Sequence, residues 1–65
     1  MKLIVNGQPL EARAVTLTAL LDELGYENAT IATAVNGDFV PASFRADTKV
    51  NDNDRIEILA PMKGG

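Results

Sequence analysis

Leu17, Leu20, Leu21 and Leu24 stand at i, i+3, i+4 and i+7, and Gly25 follows directly. That spacing draws one apolar stripe along an amphipathic helix. Thr16 or Thr18 offers an N-cap, and Gly25 offers the left-handed residue that ends a helix. About eight residues of helix do not persist alone in water, so the stripe must be covered by a sheet made from the rest of the chain. Other routes to stability are closed. There is no cysteine for a disulfide, and the lack of histidine as well argues against a structural zinc site. With 65 residues, folding buries only about 60% of the unfolded surface. One small domain fits, without room for a second or for the cleft of a large enzyme.

The flanking segments read as strands. Lys2-Leu3-Ile4-Val5 ends in Asn6-Gly7, a pair that tolerates the positive φ of a type I′ hairpin turn. Leu10 to Val15 alternates apolar and polar residues as a return strand should, and Pro9 marks it as an edge. After the helix, Thr30 to Val35 predicts a third strand. Asn36-Gly37 turns it, and Asp38-Phe39-Val40 returns until Pro41 stops it. Ala42 to Ala46 reads as one helical turn, Asn51 to Asp54 as a turn cluster, and Arg55 to Leu59 as a final alternating strand. The recurrence of Val5-Asn6-Gly7 as Val35-Asn36-Gly37 reflects two tight turns, not a repeat, since a helix follows only one of them.

This order is satisfied by an α+β fold of the β-grasp, or ubiquitin-like, kind. A mixed four- to five-stranded sheet packs on one main helix, with the first and last strands side by side at its centre. The expected organisation is a β-grasp domain over 1–60 and a free, flexible diglycine tail over 61–65.

Composition narrows the chemistry. Apolar residues at 46% and charged residues at 23% match globular averages. A net charge of −3 and a pI of about 4.6, with six scattered basic residues, argue against nucleic acid or an anionic membrane as partner. They are compatible with a basic protein surface. No apolar run nears the roughly 20 residues of a membrane span, and the N-terminus lacks the apolar core of a signal peptide. The expected location is the cytoplasm. There is no Cys nucleophile and no His base, and the only serine, Ser43, lies in Pro-Ala-Ser-Phe and not in a nucleophile elbow. The five glycines form neither GxGxxG nor a Walker loop. Such a chain is expected to enter a reaction as carrier or substrate, with no catalytic residue of its own.

The informative segment is Pro61-Met62-Lys63-Gly64-Gly65. Pro61 stops the last strand. Two terminal glycines place no side chain near the terminal carboxylate and pass through a channel too narrow for side chains. An incidental frayed end is the competing reading.

Three segments together resemble the ThiS family of sulfur carriers in thiamine biosynthesis: Ala34 to Pro41, which reads A-V-N-G-x-x-V-P, Asn53 to Leu59, and Pro61 to Gly65. The resemblance covers essentially the whole chain. The molybdopterin-synthase small subunit MoaD shares the fold and the diglycine end. One departure is Asp52-Asn53-Asp54, where the family more often shows a D-G-D turn; Asn53 still tolerates positive φ.

The resemblance implies a mechanism. A ThiF-like adenylyltransferase uses ATP-Mg to adenylate the Gly65 carboxylate. Sulfur from a persulfide donor protein displaces AMP and leaves a thiocarboxylate, which delivers sulfur to thiazole synthase (ThiG). Gly65 is then the covalently modified residue. Gly64 gives access, and Pro61, Met62 and Lys63 line the partner's channel. No cofactor is held by the carrier itself, and the free carrier is expected to be a monomer. Two other readings stay open: a sulfur carrier for molybdopterin, cysteine or tRNA thiolation, and a non-covalent ubiquitin-like binding module.

A carrier must dock on its enzymes, and an apolar patch on the sheet near the tail would serve. Phe39, Ile56 and Ile58 are the candidates, depending on strand register. As aromatics, Phe39, Phe44 and Tyr26 weigh toward core or half-core positions. Asp52 and Asp54 superficially suggest a calcium loop, but the glycine and distal Glu of an EF-hand are missing, which favours a solvated turn and no metal.

Overall fold

The computed structural model describes residues 1–26 and 30–60, so everything expected of Pro61, Met62, Lys63, Gly64 and Gly65 lies outside the described residues. Within them the chain forms β1 (Lys2–Val5), β2 (Gln8–Glu11), α1 (Leu17–Glu23), β3 (Ala32–Val35), β4 (Asp38–Val40), a 3-10 segment (Ala42–Asp47) and β5 (Arg55–Leu59). The sheet order is β2-β1-β5-β3-β4, with β1 and β5 parallel and the remaining pairs antiparallel. This is a mixed five-stranded β-grasp sheet with the last strand at its centre. β2 is an edge strand, where the missing N–H of Pro9 costs no ladder bond. No helix among the described residues is long and apolar enough to cross a membrane.

The leucine stripe behaves as its spacing requires. Leu17 and Leu20 are fully buried and Leu21 nearly so, packed with Leu3, Val40, Val50, Ile56 and Ile58, while Leu24, Tyr26 and Ile31 close the margin. Thr16 caps the helix, its Oγ1 accepting the Ala19 N–H at 3.2 Å. Gly25 takes φ +87° just past the end. Each fully buried large side chain contributes about 1.5–3 kcal/mol, which in so short a chain makes this cluster the main source of stability.

The second strand differs from its expected extent. It ends at Glu11, yet Ala12 and Ala14 are buried and keep the alternation going. The reason is a side chain from α1. Glu23 accepts the Arg13 N–H at 3.1 and 3.2 Å and the Ala14 N–H at 3.0 Å, so these donors are satisfied without a neighbouring strand. Arg45 ties the 3-10 segment to β3 and the residue before it. Its Nε donates to Thr33 Oγ1 at 3.0 Å and its Nη2 to the Ile31 carbonyl at 2.7 Å. Thr33, the buried polar residue, donates onward to the Val40 carbonyl.

Candidate docking face and the root of the tail

β5 alternates along its length. Ile56 and Ile58 point into the core, 1% and 4% exposed, while Arg55, Glu57 and Leu59 face outward. The isoleucines therefore cannot form a docking patch; they cover the helix from the sheet side. Two of the three aromatics also lie outside the core. Phe39 is 68% exposed and Phe44 is also exposed, whereas only Tyr26 takes the half-buried position expected of all three.

Phe39 does lie on an exposed apolar surface, with different companions. The register sets Ala34 between Phe39 on β4 and Glu57 on β5, and Ala32 beside Leu59. Leu59 is 70% exposed. Ala32, Ala34, Phe39, Glu57 and Leu59 line a shallow hollow of about 90 Å³ on the face turned away from α1. A second hollow, lined by Thr30, Ile31, Ala32, Leu59 and Ala60, adjoins it at Leu59. Large apolar side chains left outside in a 65-residue chain that is short of core are better used in contact with another molecule. The patch sits at the end of β5 from which residue 61 continues.

Two side chains that the sequence offers only as turn formers hold β5 in place. Asn36, at φ +51°, donates its backbone N–H to the Arg55 carbonyl at 2.7 Å and accepts the Arg55 N–H on Oδ1 at 2.9 Å. Its Nδ2 reaches Asp54 Oδ1 at 3.0 Å. Asn6, also at φ +51°, accepts the Ile58 N–H on Oδ1 at 2.8 Å and donates from Nδ2 to the Ile58 carbonyl at 3.1 Å. The two carboxamides thus flank β5 at opposite ends. A visible signal was the shared Val-Asn-Gly: Asp or Gly would also make the turn, but neither supplies a donor beside an acceptor.

The turn before β5 is likewise internal in its bonding. Asn53 takes φ +72°, as a residue replacing glycine there must. Asp52 Oδ1 accepts the Lys2 N–H at 2.7 Å, and Asp54 Oδ2 accepts the Asn51 N–H at 2.8 Å. These carboxylates serve the chain's own donors. Among the described residues, no three His, Cys, Asp or Glu side chains gather as a metal site would require.

Comparison with known proteins decides the family. The ThiS family model matches residues 3–65, all but the first two positions. The chain belongs to the ThiS family. It is 31% identical over 61 residues to the sulfur carrier protein ThiS of Thermus thermophilus, covering 94% of this chain and 95% of that one. It is 42% identical over 66 residues to a thiazole synthase of Paramagnetospirillum magneticum, covering the whole of this chain but only 20% of that protein. The crystal structure of a ThiS protein from Geobacter metallireducens superposes with a TM-score of 0.84 at 32% identity, both chains fully covered. The ThiS match runs through the diglycine end, Gly64-Gly65.

Proposed function

We propose that this chain is the sulfur carrier for formation of the thiazole of thiamine. The observation that carries the reading is the family match extending to residue 65, which takes in Gly64 and Gly65. The likeness to a thiazole synthase over the full chain favours that enzyme as sulfur acceptor.

The chemistry follows from what a carboxylate lacks. A free Gly65 carboxylate is a poor electrophile. A ThiF-like adenylyltransferase makes it reactive: a carboxylate oxygen attacks the α-phosphorus of ATP-Mg and pyrophosphate leaves. The terminal sulfur of a persulfide donor displaces AMP at the acyl carbon. A thiol then cleaves the sulfur–sulfur bond, leaving as a disulfide and freeing the Gly65 thiocarboxylate for thiazole synthase. The carrier contributes the acyl carbon and access to it, with Gly64 adding no bulk. Pro61, Met62 and Lys63 lie against the channel of the enzyme. Because the chain has no cysteine, no internal thiol competes for the activated end. Phe39 and Leu59, with Ala32 and Ala34, form the docking surface at the root of the tail.

The test is intact mass after incubation with ATP-Mg, the activating enzyme and a sulfur source, followed by a thiol alkylator. Methionine sulfoxide mimics the mass change of replacing oxygen with sulfur, but it does not alkylate. A label mapped to Gly65 is expected, and deletion of Gly64-Gly65 should abolish it while leaving the melting temperature unchanged. An unlabelled chain in the presence of demonstrably active enzyme would point instead to a binding module.

A further inference from the structure

β1 gives β5 its last backbone rung where the Asn6 N–H meets the Ile56 carbonyl at 2.8 Å. The chain then turns at Asn6-Gly7, with φ +51° and +82°, and leaves along β2. A parallel ladder would offer the next rung at Ile58, but no backbone remains there to meet it. The Asn6 side chain takes that place. Its carboxamide presents one acceptor and one donor to the N–H and carbonyl of Ile58, at 2.8 and 3.1 Å. On the opposite side β3 pairs Thr33 with Ile58 and Ala32 with Leu59. The end of β5 is thus held from both flanks, three positions before Pro61.

We infer that Asn6 is a positioning residue for the tail. Its carboxamide holds Ile58, and with it the end of β5 beside the Phe39–Leu59 patch, in the plane of the sheet, and this strand end is what the activating enzyme must meet to reach Gly65. The inference rests on the sulfur-carrier reading for its consequence and on geometry for its basis. Aspartate at this place would set a second acceptor against the Ile58 carbonyl, and glycine would keep the turn while removing both bonds.

Asn36 supplies the matched control. Asn6→Gly and Asn36→Gly each retain a residue at ease with positive φ, and each removes the side-chain bonds of one turn, but only the first touches the root of the tail. The initial rate of Gly65 thiocarboxylate formation is to be measured at limiting carrier. We expect Asn6→Gly to lower kcat/KM by about tenfold to a hundredfold, and Asn36→Gly to stay within about twofold of the parent. Amide hydrogen exchange at Ile58 should quicken in Asn6→Gly and remain unchanged in Asn36→Gly. Should Asn6→Gly fail to fold by circular dichroism, Asn6→Asp removes the donor alone and is expected to act in the same direction. Equal loading of the two glycine variants, or unaltered Ile58 exchange in the Asn6 variant, would overturn the inference. If the parent chain itself cannot be loaded, the carrier reading fails, and the exchange at Ile58 still decides whether Asn6 holds the strand end.

Discussion

Asn53 shows how one backbone angle constrains a side chain. Its φ of +72° is reached while its N–H bonds the Lys2 carbonyl and the neighbouring aspartates cap the turn. Left-handed backbone costs an ordinary L-residue about 1–2 kcal/mol, and asparagine and glycine less. Asn53→Ala should lower the unfolding free energy by about that amount, whereas Asn53→Gly should leave it equal or higher; urea titration distinguishes them. Tolerance of positive φ at this turn was readable from residue type alone. The second task of Asn6 and Asn36 was not. Their partners lie 52 and 19 positions away, Ile58 for the first and Arg55 for the second, and only the closed sheet brings them together.

At the scale of the elements, the helix, both hairpins and the last strand were legible because each carries a local signal: a leucine stripe, an Asn-Gly pair, a clean alternation. What alternation leaves open is which face meets the core. In β5 the apolar members Ile56 and Ile58 answer to α1, and the residue that breaks the pattern, Leu59, marks the outer surface. β2 stops at Glu11, short of the alternation that runs to Val15, for another reason. Alternation of burial continues through Ala12 and Ala14, but at Arg13 and Ala14 it is Glu23 and not a strand that meets the backbone N–H groups. The two faces predict opposite behaviour. Ile56→Ala should cost about 2–5 kcal/mol of stability. Phe39→Ala should change stability by no more than about 0.5 kcal/mol yet weaken binding to the proposed activating enzyme by more than about 1 kcal/mol. Denaturant curves and isothermal titration calorimetry would separate the effects, and a Phe39→Ala chain that binds undiminished would remove this face from the docking surface.

For the molecule as a whole, the last strand lies between the first and the third, so the sheet closes only once the chain has been traversed. At about 0.05–0.15 kcal/mol per residue, a domain of this size is stable by about 3–10 kcal/mol, so a small fraction of molecules is open at any moment. That opening has a chemical consequence at the two turns. In Asn-Gly the unhindered glycine nitrogen attacks the asparagine Cγ and expels ammonia, and the cyclic imide takes up water to give aspartate or isoaspartate; asparagine is accordingly among the thermolabile residues. In the closed sheet the Asn6 carboxamide is tied to Ile58 and that of Asn36 to Arg55 and Asp54. Ammonia loss at both sites, followed by peptide mapping in warm, mildly alkaline buffer, should therefore accelerate in the destabilised Ile56→Ala chain. Equal rates in the folded parent and the destabilised variant would show that the bonds give no protection. If they do protect, deamidation is a clock that runs only while the sheet is open, and the working lifetime of the protein is set by its folding equilibrium.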